Sequence, residues 1–306
     1  MLDISVETEN DQRHLRVTEE QLGALVRRIG GEGDRFLVVQ RIPDLPDVFL
    51  QVWHADGGGY TLEHRDGAVD RHFQVELDGP GPVVAAMTGW ARQEARWSAG
   101  HAWSRLDLGP VPGPAPAPEP AEDEHRLLVE RLRELLVGGC TTRAELAATA
   151  EEYLVRADRR PLSPEQARQL ADRIWLERVE EQAGWEGETD AERLTRAFAA
   201  LEAVGVTARE NFTCCRTCGE SEIGTAGAPD ARGFVYFPTR CTDSAAAGHG
   251  LDLLYGGFDG AAGTTAAIGR EVVAALAAVG LPTRWDGDPA RAVTVTPRDR
   301  RRRLVG

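Results

Sequence analysis

The chain has 306 residues, of which 42% are apolar and 33 are glycine, enough to bury a core and to exclude global disorder. Its 35 basic residues stand against 49 acidic ones, for a net charge of −14, and every basic residue is arginine. The lack of lysine excludes a Walker-type phosphate lysine, a Schiff-base lysine and a lysine general base. The acidic balance disfavours general nucleic-acid binding, because phosphates repel net negative charge.

At roughly 150 residues per domain the length predicts two domains. The start, MLDISVETEN, lacks a basic segment followed by an apolar run. The longest apolar stretch, 272–281, is about half the ~20 residues a membrane span needs. A cytoplasmic protein without a membrane partner is therefore expected. The boundaries are read as an α+β domain over 1–109, a proline-rich linker over 110–120, a helical segment over 121–204 and a cysteine-containing αβ domain over 205–306.

In the first domain LDISVETE reads as a strand. Thr18 is an N-cap with Gln21 at the capping-box position and Val17/Leu22 as a staple, opening a helix that ends at Gly30–Gly31. RFLVVQRI, VFLQVWH, YTLEHR and VDRHFQVEL read as strands, the last two joined by a two-residue turn at Asp66-Gly67. Pro82 opens a helix with Val83, Met87 and Trp90 on one face, and HAWSRLDL returns as a strand. The run GPVPGPAPAPEP then favours a semi-rigid polyproline spacer, since each proline ring fixes φ and removes a donor.

Four helices follow. Leu128, Leu132 and Leu135 space the first, and Thr142/Glu145 and Ser163/Gln166 are capping boxes for the next two. Leu170, Ile174 and Trp175 mark the buried stripe of the third, and Leu194, Phe198 and Leu201 that of the fourth, which stops at Gly205. The last domain alternates: VTARENFT, GFVYF, a short helix near 244–247, LDLLYGG, a helix over 265–279, and a hairpin of LPTRW with AVTVT across Asp286-Gly287. Such alternation predicts a layered, partly parallel sheet.

The cysteines carry the sharpest chemistry. Cys215 and Cys218 form a C-x-x-C with Cys214 adjacent, and two thiolates at that spacing can share one Zn²⁺. A tetrahedral site needs further ligands, for which Cys241 and His249 are the candidates. A redox reading stands beside it, because a strand running into a C-x-x-C at a helix start is a thioredoxin-like arrangement, although the flanking Trp and Pro of that motif are missing. The plain alternative is cysteines packing as small apolar groups.

Two further surfaces are weighed. The hairpin turn pairs Arg65 with Ala68 and Thr61 with His72, so that Thr61, Glu63, Arg65, Asp70, His72 and Gln74 share a polar face, either solvated or a binding surface. His64 falls on the opposite face, so His64 and His72 cannot share a metal. The loop GGFDGAAGTT precedes a helix, and Gly260, Gly263, Thr264 and Thr265 could cradle an anion there. It matches neither GxGxxG nor GxxxxGK, and Thr264 or Thr265 as a plain N-cap explains it equally. No nucleophile elbow, HExxH or paired-carboxylate motif appears. Asp286 and Asp288 read as turn formers, and Arg298 and Arg300–Arg303 as a solvated, frayed tail.

GDRFLVVQRIPDLPDVF, GYTLEHRDG, NFTCCRTCGESEIG, RGFVYF, LDLLYGGFDG and RWDG together resemble an uncharacterised actinobacterial family whose C-terminal half is a domain of unknown function. The N-terminal half resembles the small α+β immunity proteins of polymorphic toxin systems. Relatives in that family carry a His and an Asp after the aromatic strand, where this chain has Pro238 and Cys241, so a role resting on that His does not transfer. The resemblance implies no activity.

The leading expectation is a non-enzymatic cytosolic binding protein of immunity or regulatory type, with a basic protein such as a toxin as partner. The rivals are a thiol-redox or metal-dependent enzyme centred on Cys214, Cys215 and Cys218, and a zinc-stabilised structural module. Charge divides unevenly: 1–109 carries net −7, 110–204 net −8 and 205–306 net +1. Partner-facing charge thus belongs to the first segments, and metal or small-molecule chemistry to the last.

Overall fold

The computed structural model describes residues 1–109, 120–156, 159–246, 249–299 and 301–304. The proline spacer lies outside the described residues apart from Pro120, as does Arg300 of the basic tail. The class is α+β, and the chain divides into two compact units: 1–132, 141–180 and 304–306 form one, and 133–140 with 181–303 the other.

The first unit contains β1 (Ile4–Thr8), β2 (Arg13–Leu15), α1 (Glu19–Arg28), β3 (Phe36–Arg41), β4 (Val48–His54), β5 (Tyr60–Asp66), β6 (His72–Leu77), α2 (Pro80–Ala91) and β7 (Ser104–Arg105). The strands form one antiparallel sheet in the order β2-β1-β3-β4-β5-β6-β7. Alternation sends Ile4, Val6, Leu37, Val39, Leu50, Val52, Leu62 and Val75 to one side, where Leu22 and Val26 of α1 and Val83, Met87 and Trp90 of α2 complete the core. Each such side chain contributes about 1.5–3 kcal/mol on burial.

Thr18 caps α1 through the expected box, accepting from Gln21 N while its own N–H donates to Gln21 Oε1. The second helix begins at Pro80 rather than Pro82, with Gly79 as N-cap; Pro80 sits where a missing N–H costs nothing. β2 carries no apolar alternation that would announce it, and both its end residues are exposed.

The β5–β6 turn departs from the two-residue expectation. Arg65 pairs with His72, His64 with Phe73 and Thr61 with Glu76, so the connection spans residues 67–71 and Asp70 lies in it. The displacement is four residues. An even displacement leaves the side chains that remain in the two strands on their expected faces, since the pleat repeats every two, while Asp70 moves from the face into the turn. His64 therefore does face the core side, stacked on Phe73 at 4.9 Å and edge-on to Trp97 and Trp103 at 5.0 and 4.8 Å.

The same unit takes in α4 (Arg143–Glu152) and most of α5 (Pro164–Ala183); α3 (Glu122–Val137) contributes residues to both units. The boxes at Thr142/Glu145 and Ser163/Gln166 both form. Arg143 on α4 bonds Asp44 Oδ2 at 2.8 Å and Asp172 Oδ1 at 2.7 Å, and fully buried Trp175 donates its indole N–H to the Asp44 carbonyl at 2.8 Å. The expected stripe of Leu170, Ile174 and Trp175 is buried, as are Leu128 and Leu132 of α3, joined by Leu136 rather than Leu135.

The second unit holds α6 (Asp190–Glu202), β8 (Val206–Arg209), α7 (Arg216–Glu222), β9 (Gly233–Tyr236), α8 (Thr239–Ala246), β10 (Leu251–Gly257), α9 (Ala262–Ala278), β11 (Thr283–Arg284) and β12 (Val293–Val295). The sheet order is β11-β12-β10-β9-β8; β8 and β9 are parallel and the other pairs antiparallel. Leu194, Phe198 and Leu201 of α6 and Ile268, Val272 and Leu276 of α9 share a core with Val206, Val235, Phe237, Leu253 and Val293. The β11–β12 connection is longer than a tight turn at Asp286-Gly287, because Thr283 pairs with Val295 and Arg284 with Thr294. Tyr255 Oη closes it by donating to the carbonyls of Asp288 and Arg291.

The basic tail is docked rather than frayed. Arg302 bonds Glu210 at 2.7 Å, and Arg303 bonds Glu192 at 2.7 Å and the Trp185 carbonyl at 2.8 Å. Charge-assisted guanidinium bonds to carboxylates on the same unit outweigh the tail's chain entropy. Among the described residues, no helix is long and apolar enough to cross a membrane.

Candidate functional site

The cysteine trio forms where β8 hands over to α7. After Arg209 the chain runs through Asn211 and Thr213, both with positive φ (48° and 60°), a conformation that costs free energy in residues other than glycine. Hydrogen bonds hold it: Phe212 N–H donates to the Phe237 carbonyl, and Thr239 donates through both N–H and Oγ1 to the Thr213 carbonyl. Thr242 Oγ1 donates to Asn211 Oδ1 at 2.8 Å. The loop is thereby tied to the chain that leaves β9, the parallel neighbour of β8.

Cys215 is the N-cap of α7, in an extended conformation, and Cys218 is the third helical residue. That is the offset at which an N-cap side chain meets a backbone N–H of the first turn. Gly219 follows with Tyr236 pressed against it: a Cβ there would lie 2.3 Å from the tyrosine ring. Tyr236 is fully buried, donates its hydroxyl to the Arg216 carbonyl at 3.1 Å and meets the edge of Phe212. Glycine is thus required by close approach, and the ring clamps the first turn of α7 to β9.

The thiols converge. Cys218 Sγ lies 3.5 Å from Cys214 Sγ and 3.7 Å from Cys215 Sγ, and all three sulfurs fall within 4.8 Å of one another. Cys214 is exposed and the other two are half-buried. The Cys218 N–H and the neighbouring thiols draw the Cys215 thiol below its ordinary range. Cys218, facing both neighbours, is pushed up to about 11. The crowding itself disfavours three unneutralised thiolates, and a bound cation relieves it.

The other two expected ligands do not join them. Among the described residues the trio is the one group of three or more side chains that converge with metal-ligand geometry. Cys241 packs against the apolar core of the sheet, where burial raises its thiol pKa. His249 is exposed beyond α8, its N–H donating to the Ser244 carbonyl.

The polar face of the first unit is largely spent on itself. His72 is 3% exposed, its Nε2 lies 2.9 Å from Glu63 Oε2, and its Nδ1 accepts from Arg65 Nε at 3.1 Å. Arg65 also bonds Asp47 at 2.9 Å, Gln51 donates to Glu63 at 2.6 Å, and Thr61 donates to Glu76 at 2.7 Å. Gln74, half-buried, has its carbonyl bonded by Ser104 Oγ, and Asp70, in the turn, faces Arg105 at 3.8 Å. A satisfied, buried His72 offers no donor to a partner.

The glycine-rich loop carries its own anion. Asp259 accepts from Ala261 N at 3.0 Å and from Thr264 Oγ1 at 2.7 Å, contacts that hold its carboxyl below the ordinary carboxylate range. Thr265 Oγ1 accepts from Gly257 N at 3.2 Å. Ala261, not Thr264 or Thr265, is the N-cap residue of α9, while Gly260 (φ +68°) supplies the turn and Gly263 is the second residue of the helix. Fixed negative charge already complements the start of α9.

A family model for a domain of unknown function, DUF6891, matches residues 121–304, which is more than half of the chain, and the chain belongs to that family. No curated protein and no solved structure matches it. The family boundary encloses the cysteine trio, so the site lies within the family's domain.

Proposed function

We propose that this chain is a metal-binding protein whose site is Cys214, Cys215 and Cys218, and that zinc is the ion held. The observation that carries the reading is the sulfur spacing. Zn–S bonds of ~2.3 Å at tetrahedral angles separate sulfurs by about 3.8 Å, against 3.5 and 3.7 Å in the free thiols. Soft thiolates select soft or borderline cations over Mg²⁺ or Ca²⁺. Three protein ligands leave one coordination position for a water or a donor from another molecule. Three thiolates around a divalent ion carry a net single negative charge, which makes the ion a weak Lewis acid. The reading is therefore binding, not hydrolysis.

Elemental analysis of the full chain, purified with reductant, tests it. One equivalent of zinc is expected, with loss on Cys214→Ser, Cys215→Ser or Cys218→Ser and retention on Cys241→Ser and His249→Ala. Folded protein that takes up no zinc on titration contradicts the reading.

The charge distribution favours a second role. Net −7 over 1–109 and −8 over 110–204, against +1 beyond, supports association with a basic protein, such as a toxin, steered by acidic side chains. A pull-down from the native host that recovers no basic protein at low salt contradicts this role.

A further inference from the structure

We infer that the three thiols are also a dithiol–disulfide couple in which Cys218 is always one partner, so that a low-molecular-weight disulfide closes a bridge through Cys218 and expels the ion. The metal-release half rests on the zinc reading; the bridge does not.

The choice of Cys218 follows from chain geometry. A disulfide places its Cα atoms about 4.4–6.8 Å apart, whereas consecutive residues across a trans peptide are held at about 3.8 Å. Cys214 and Cys215 are consecutive and so are a poor pair. Cys218 faces both, at 3.5 and 3.7 Å. Closing either contact to the ~2.05 Å of an S–S bond needs roughly 1.5 Å of sulfur movement, within reach of side-chain rotation. Cys215 as N-cap and Cys218 as the third helical residue stand one helical turn apart, so that bridge leaves α7 in place. Exposed Cys214 provides entry for the oxidant.

The chemistry balances in two exchanges. A cysteine thiolate attacks one sulfur of the small disulfide, forming a mixed disulfide and expelling one small thiolate. A second cysteine thiolate then attacks the cysteine sulfur of that mixed disulfide and expels the other. Two cysteine sulfurs have each lost one electron, and the two sulfurs of the oxidant have gained them. The third cysteine remains a thiolate. One thiolate does not retain the ion, which leaves as Zn²⁺.

Glutathione disulfide is the test oxidant, applied to zinc-free and zinc-loaded full chain. Trypsin cuts after Arg209, Arg216 and Arg232, placing Cys214 and Cys215 on peptide 210–216 and Cys218 on peptide 217–232. A bridge through Cys218 joins the two peptides; a bridge between neighbours leaves them separate. The expected result is the joined pair, loss of two of the three cluster thiols, and release of one equivalent of zinc to a chromogenic chelator. Cys218→Ser is expected to abolish the joined pair, while Cys214→Ser and Cys215→Ser each retain one. Glutathione adducts alone, or a bridge confined to 210–216, overturn the couple even if zinc binds. Bridge formation in a chain that takes up no zinc upholds the couple and refutes the metal reading.

Discussion

Gly219→Ala is the substitution that bears hardest on the site without touching a thiol. The added Cβ would lie 2.3, 2.6 and 2.8 Å from Cε2, Cζ and Oη of Tyr236. That ring cannot retreat to solvent, because it is fully buried, and turning it forfeits the bond to the Arg216 carbonyl and the contact with Phe212. The strain therefore moves the first turn of α7, which carries Cys218, away from β9. Overpacking of this kind costs about 1–3 kcal/mol. Borne by the metal site, that is roughly 5- to 150-fold in affinity, at about 1.4 kcal/mol per tenfold. Zinc affinity is measured by competition with a chelator of known strength, alongside the urea midpoint of the same protein. The double variant Gly219→Ala/Tyr236→Ala removes the colliding ring and is expected to recover most of the affinity. Gly219→Ala protein that binds zinc and unfolds as the parent does would refute the clamp.

Other outcomes follow from the first unit. Arg143→Leu leaves Asp44, whose side chain is 7% exposed, without its guanidinium partner; removing one member of a buried pair costs about 3–5 kcal/mol, read as a lowered urea midpoint. An unchanged midpoint would contradict the role given to that pair. Burial among Phe73, Trp97 and Trp103 holds the His64 imidazole below its ordinary 6.5. The unfolded chain then binds the extra proton first, so stability present above pH 6.5 is lost as pH falls toward the folded value. A His64 titration by NMR above 6.5, or a pH dependence unaltered by His64→Phe, would contradict this.

Local chemistry was the most legible part of the sequence. Thr18/Gln21, Thr142/Glu145 and Ser163/Gln166 cap their helices because a box depends only on residues three apart. The Thr189/Glu192 box carries the same signal and forms as well. Turn length was less legible. Asp66-Gly67 has the residues of a two-residue turn, but pairing Arg65 with His72 lets a buried His72 meet Glu63, Arg65 and the ring of Phe49. At the site, the C-x-x-C spacing announced the approach of Cys215 and Cys218, the N-cap and third residue of one helix start, whereas Cys214 joins them from the loop before the helix. Cys241 and His249 lie more than twenty residues further on, and nothing local dictates their direction. Cys241 turns to the apolar core instead. Gly219 gave no sign of its role, which depends on a tyrosine from another strand.

X-ray absorption at the zinc edge of the loaded full chain tests the central claim most directly. The account predicts three sulfur ligands at about 2.3 Å and one lighter oxygen or nitrogen donor, a signal unchanged in Cys241→Ser and lost with the metal in Cys218→Ser. A first shell of oxygen and nitrogen alone, or a sulfur count unchanged in Cys218→Ser, would contradict it.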